Sequence, residues 1–283
     1  MCLENSKTFK MRKKKMSLEN ENISKEHKEY LQSIKKEEKF IKTAQILFLI
    51  IFFSLWQYAA NKGMIDTFLT SSPGAIWNLT MKFIIDGSLF NHLYVSTMET
   101  IAGFFLGTSI GILVAMILWW SEKVAKIFEP YLVILNSLPK TALAPIMILW
   151  AGTGFSGIVV TAASISVVVT TMTMYTGFMS VENDKIVLLK TFGAKKYQIL
   201  KSVIIPANLP LIVSVIKVNI GLSWIGVIVG EFLVSKAGIG YLIVYGSQVF
   251  KLDLVMMGVF VLAVVAALMY FFAAWIEKKI IKY

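Results

Sequence analysis

Charge is what this chain has least of: Asp, Glu, Lys and Arg make up 16% of its 283 residues, against about 25% in a soluble domain. Cysteine is nearly missing as well. The single thiol, Cys2, excludes an internal disulfide and leaves no cysteine cluster to hold a metal. Histidine is limited to His27 and His92 and no HExxH pattern occurs, so a zinc-dependent intramembrane hydrolase lacks its ligands. No GxxxxGK[ST] phosphate loop is present either. GTGFSG at 152–157 has glycines but no lysine, and it lies between apolar runs, so the chain is not expected to hydrolyse ATP by itself. SLPK at 137–140 matches a Ser-x-x-Lys pattern, but Pro139 interrupts it and its companion motifs are missing; it is read as chance.

What is present is apolar. Hydrophobic residues reach 57% and the mean hydropathy is +0.70, in continuous runs of about 20 residues rather than the alternating runs of about 10 that a barrel needs. The expected class is an all-α polytopic membrane protein with six transmembrane helices. The net charge of +11 does not point to nucleic acid, because the lysines flank apolar runs, where retention on the cytoplasmic side accounts for them.

Residues 1–43 form a charged N-terminal segment without the apolar core and cleavage site of a secretory signal. MSLEN at 16–20 repeats the pattern of MCLEN at 1–5, which leaves Met1, Met11 and Met16 as alternative starts. Residues 24–43 read as a surface helix facing anionic headgroups, and residues 44–283 as the transmembrane domain. Expected spans cover residues 44–60, 94–120, 131–150, 158–179, 211–230 and 253–276. Gly103, Gly107 and Gly111 recur at every fourth residue, giving either a close helix–helix seam, the weightier reading, or a substrate groove. The third span is broken around LPKTALAP, where Pro139 and Pro145 leave carbonyls without donors and Lys140 sits inside the break. Glu99, Lys217 and Glu231 are ionisable groups at membrane depth. They either serve a solute pathway or pair structurally. Gly238 and Gly240 mark the turn of an outer re-entrant loop or half-helix.

Lysines distribute unevenly between the loops. The N-terminal segment, 121–130, 181–210 and the C-terminus hold most of them, while the opposite loops hold only Lys62, Lys82, Lys236 and Lys251. Six spans with both termini in the cytoplasm fit that asymmetry. The long polar interruption, VENDKIVLLKTFGAKKYQILKSVIIPANLP at 181–210, then lies inside. Ile186, Leu189 and Phe192, then Ile199, Val203 and Ile204, fall at helical spacing on either side of Gly193, so two short amphipathic helices with a turn between them are expected.

This stretch resembles the EAA loop of ABC importer permeases, whose pattern is EAA, three residues, Gly, nine residues, then I-x-L-P. Gly193 and VIIP at 203–206 match, whereas Val187, Leu188 and Leu189 stand where Glu-Ala-Ala would be. SSPGAIW at 71–77, GFFLG at 103–107, LPKTALAPIMILWAGTG at 138–154 and GLSWIGVIVGEFLVSKAGIGYLI at 221–243 extend the likeness to the nitrate, sulfonate and taurine branch of these permeases, with their MetI-like fold. The resemblance implies a multi-pass cell-membrane homodimer that is not itself an enzyme and binds no cofactor. ATP and magnesium would belong to a cytoplasmic ABC ATPase subunit, and an extracytoplasmic binding protein would deliver the solute. A loop at about 181–206 would carry the coupling helices, with Ile186, Leu189, Lys190, Phe192, Gly193, Ala194, Tyr197 and Pro206 as coupling residues. Pathway candidates are Pro139, Lys140, Lys217, Asn219, Ser223, Trp224 and Glu231. The expected solute is small and anionic, of sulfonate, taurine or nitrate type; a vitamin-precursor pyrimidine, or an ion-coupled secondary carrier, are the alternatives.

Overall fold

Apolar runs of 24 residues and more fold as single helices here, since in a membrane each backbone donor must find its acceptor within its own segment. The structure, a computed structural model, describes residues 25–280. Contacts divide the chain into two compact units, Met1–Ile65 and Asp66–Tyr283. In the first, α1 runs without interruption over Lys25–Asn61, so the expected surface helix and first span are one helix. No proline or glycine interrupts that stretch. The alternative starts at Met1, Met11 and Met16 lie outside the described residues.

The second unit holds α2 (Thr67–Thr70), α3 (Pro73–Ile85), α4 (Ser88–Trp120), α5 (Glu122–Ser137), α6 (Lys140–Ala151), α7 (Phe155–Met179), α8 (Asn183–Thr191), α9 (Lys196–Ile199), α10 (Ile205–Ala207), α11 (Leu209–Val234), α12 (Ile239–Gln248) and α13 (Leu252–Ile280). Among the described residues, five helices are each long and apolar enough to cross a membrane: α1, α4, α7, α11 and α13. The expected third span differs in detail. Helix already starts at Glu122, and α5 and α6 meet at a bend of 102°. The break falls at Pro139; Pro130 and Pro145 lie inside helices.

At the centre of the unit stands α7, whose most apolar stretch is 56% buried, against 17% for α13. It runs against α4 along the glycine stripe. A Cβ on Gly103 would overlap Ala162, one on Gly107 would overlap Ser166, and one on Gly111 would overlap Thr170. The stripe is therefore a helix–helix seam, and its close approach lets Thr171 donate to the Gly111 carbonyl at 3.2 Å. Polar side chains reinforce the same interface. Asn219 of α11 donates to Thr108 of α4 at 2.8 Å and to Thr170 of α7 at 2.7 Å, and it is fully buried.

Candidate functional site

The polar interruption at 181–210 folds as expected, into short helices around Gly193. Helix α8 ends on Gly193 at φ +75°, where the Gly193 N–H donates to the Lys190 carbonyl at 2.9 Å and the Ala194 N–H to Leu189 at 3.0 Å. Open space surrounds the position a Cβ would take, so the backbone conformation, not crowding, is what favours glycine here. Helix α9 opens with the Lys195 N–H donating to Gln198 at 2.7 Å. It widens into a π turn over Leu200–Ile204, continues as α10 and enters α11 with Pro210 in the first turn. Pro206 and Pro210 bring no N–H of their own. Between them Asn208 donates both its backbone N–H, at 3.2 Å, and its side-chain amide, at 2.8 Å, to the Ile204 carbonyl.

The two faces of this segment differ. Ile186, Leu189 and Ala194 turn inward, against a buried cluster in which Ile199, Leu200 and Ile204 meet Ala115 of α4, Met174 and Phe178 of α7 and Val215 of α11. The outward face carries Val187, Leu188, Phe192 and Tyr197, with Phe192 79% exposed. Of the expected coupling residues, then, Ile186, Leu189 and Ala194 hold the segment to the bundle, while Lys190, Phe192, Gly193 and Tyr197 are exposed. Pro206 sits in α10 at the junction with the span. Val187 and Leu188, two of the three residues standing where Glu-Ala-Ala would be, add exposed apolar surface that reading only the helical spacing overlooked. A second tie was not foreseen. The Lys196 ammonium donates to the Trp120 carbonyl at 2.6 Å and lies over the Trp119 and Trp120 rings at 5.5 and 6.0 Å, so a cation closes the C-terminal end of α4. Between α4, α7 and α8 a cavity of about 440 Å³ remains, bordered by Trp119, Tyr175, Lys190 and Lys196.

The pathway candidates scatter. Pro139 precedes α6, and Lys140 reaches back across the break to donate to the Asn136 carbonyl at 3.2 Å. Lys217 is half-buried. Asn219, Ser223 and Trp224 are the candidates expected to line a route at a dimer interface. All three are buried inside the subunit, and the Trp224 indole donates to the Met269 sulfur at 3.3 Å. Packing against α4, α7 and α13 takes that face of α11, which leaves Ser214, Val218, Gly221 and Ile225 as its exposed stripe.

Glu231 is also buried, and its partners are identifiable. Its carboxyl group accepts from the Ser96 hydroxyl at 2.5 Å, from the Gly240 N–H at 2.6 Å and from the Tyr241 N–H at 3.2 Å. Ser96 in turn accepts from the Ile239 N–H at 2.7 Å, and His92 Nδ1 from the Gly238 N–H at 3.0 Å. Four successive donors at the start of α12 are thus taken by side chains of α4 and α11. Gly238, at φ +115°, lies so close to the Glu231 carboxyl that a side chain there would overlap it. The expected half-helix exists, and Glu231 anchors it. His92 and Ser96 escaped notice, although with Glu99 they repeat at helical spacing on one face of α4.

Residues 107–282 match the family described as binding-protein-dependent transport system inner membrane component. The Bacillus subtilis permease SsuC, named for aliphatic sulfonates transport, is 26% identical over 84% of this chain and 86% of its own length. ThiX of Halalkalibacterium halodurans, a formylaminopyrimidine transport permease protein, is 30% identical over 69% of this chain and 77% of its own. Among solved structures, an inward-facing conformation of the MetNI methionine ABC transporter superposes with a TM-score of 0.62 at 17% identity, covering 75% of this chain and all of the matched one. A bundle of apolar helices, a broken span and a short-helix segment ending in Pro206 come together with a family match over most of the second unit: the chain belongs to the binding-protein-dependent transport system inner membrane components, the membrane permeases of ABC import systems.

Proposed function

We propose that this chain is the permease subunit of an ATP-driven importer for a small anionic solute of sulfonate type, coupled through 181–210 to a separate cytoplasmic ATPase subunit. The observation that carries this reading is the two-faced coupling segment. One face packs into the inner ends of three spans, and the other exposes Val187, Leu188, Phe192 and Tyr197. An amphipathic helix offered in this way suits insertion into a groove on a partner. Movement of the partner then reaches α4, α7 and α11 through Ile186, Leu189 and Ile204. ATP and magnesium are assigned to that partner.

Lysine asymmetry supports an orientation with both termini and the coupling segment in the cytoplasm. Two copies of the permease are proposed to enclose the route, with the exposed α11 stripe of Ser214, Val218, Gly221 and Ile225 facing it. The buried Asn219, Ser223 and Trp224 hold that helix in place. Lys140 and Lys217 supply positive charge suited to an anion. The similarity to SsuC favours a sulfonate, while the 30% identity to ThiX keeps a vitamin-precursor pyrimidine as the second reading.

The test is uptake into proteoliposomes containing the chain with its ATPase, with and without external binding protein. Accumulation of radiolabelled alkanesulfonate that needs ATP and both partners supports the proposal. Uptake by the permease alone under an ion gradient would sink it, and uptake of a formylaminopyrimidine but no sulfonate would shift the solute to the second reading.

A further inference from the structure

The SSPGAIW stretch plays no part in the coupling segment or in the route, yet it is tightly built. Ser72 accepts from the Ala75 N–H at 3.2 Å and Pro73 opens α3, while Ser71, almost fully buried, donates its hydroxyl to Asp253 of α13 at 2.6 Å. That bond joins two segments 182 residues apart. Backbone strain gathers at the same place. Among the described residues the non-glycine positions with positive φ are Ser71, at +57°, and Phe250, at +54°. Such conformations persist only where the surroundings impose them. Beside them lies a cavity of about 470 Å³ between α2, α3 and the turn joining α12 to α13, with Phe250 in its lining.

Its lining has a definite character. Phe68 and Phe250 stand exposed at the edge, and Phe83 forms part of the wall. Two lysines, Lys82 and Lys251, line it together with Asp253. Asp253 of the lining accepts the Ser71 hydroxyl, and outside it Asp66 accepts the Phe68 N–H and Asp86 the Ser88 N–H and hydroxyl, so the lining carries two cations to one anion. Asp86 also feels the charge of Lys82, and these hydrogen bonds hold its carboxyl below the usual carboxylate range. Neither lysine forms an ion pair within 4 Å among the described residues.

We propose that this cavity seats an acidic side chain of the extracytoplasmic binding protein, with Lys82 and Lys251 as its counter-charges and Phe68 and Phe250 as apolar anchors. Several observations favour that occupant. The family is binding-protein-dependent, so a binding protein has to meet the outer face. Lys82 and Lys251 are two of the four lysines that the charge asymmetry puts outside. The volume suits a few side chains, and aromatic residues, Phe among them, are enriched in interfaces. The inference rests on the orientation and partner of the importer reading.

The test uses the permease–ATPase complex in nanodiscs of phosphatidylethanolamine, titrated with the purified binding protein encoded beside the permease gene. Lys82→Glu and Lys251→Glu are each expected to weaken binding about tenfold, with Lys82→Gln and Lys251→Gln intermediate. Added salt should weaken wild-type binding, and Lys236→Glu, an exposed lysine outside the cavity, should leave affinity unchanged. All variants change exposed side chains, and gel filtration confirms assembly before titration. If wild type binds and both reversals bind equally well, the docking proposal is overturned while the importer reading stands. If the reversals matter only after phosphatidylglycerol is added, the cavity holds a lipid headgroup and the proposal is likewise overturned. If wild type does not bind at all, both readings go.

Discussion

Two short helical insertions interrupt this bundle, and they are built in opposite ways. At 235–251 the half-helix α12 is fastened by buried hydrogen bonds, with Glu231, Ser96 and His92 taking its first donors. At 181–210 the segment is fastened by apolar packing on one face and leaves the other face open. Directional bonds among buried groups fix one geometry and are costly to break. Apolar packing holds a segment in place without dictating what meets its far side. The insertion at 235–251 is thus made to keep its position, whereas the one at 181–210 leaves open the face proposed to meet the ATPase subunit.

The largest expected effect tests the 235–251 half of that contrast. Glu231→Ala leaves two N–H groups and a hydroxyl without their acceptor in a buried site. Each buried group left unpaired costs about 1–3 kcal/mol, so the purified permease should show a large fall in its thermal transition, whereas Glu231→Gln, which keeps an acceptor oxygen, should fall less. At 181–210, the double change Leu188→Glu and Phe192→Glu should reduce binding of the proposed ATPase subunit by about a hundredfold and leave the thermal transition nearly unchanged. A large loss of stability in that variant would mean the two insertions are held alike. Gly193→Val forces a branched side chain into a left-handed turn at a cost of about 1–2 kcal/mol, and it should lower uptake per ATP hydrolysed by the assembled transporter. Smallest is Asn219→Ala, which removes two interhelical bonds worth about 1 kcal/mol together and should lower the transition slightly.

The sequence made the insertion at 181–210 easier to read than the one at 235–251. Gly193, the prolines and the apolar spacing are local signals, so two short helices and their turn were legible. Which face looks outward was not, because Ile186 and Leu188 are equally apolar and only contact with Met174, Phe178 and Val215 distinguishes them. The glycine stripe was legible as a seam, since each small residue repeats on one helix face. Asn219, Ser223 and Trp224 read as route residues because polar groups in a span stand out, yet partners on α4, α7 and α13 lie far along the chain. The anchoring of α12 by His92 and Ser96 was hidden for the same reason, at separations of 146 and 143 residues.

The most direct test is a set of single-cysteine permeases, built on Cys2→Ser, with one cysteine in turn at 186, 188, 189 or 192, treated with a short photoactivatable thiol cross-linker in the assembled complex. Cysteines replacing Leu188 and Phe192 should label readily in the free permease and cross-link to the ATPase subunit, while those replacing Ile186 and Leu189 should do neither. Cross-links from 186 and 189, with none from 188 and 192, would contradict the two-faced segment on which the account depends.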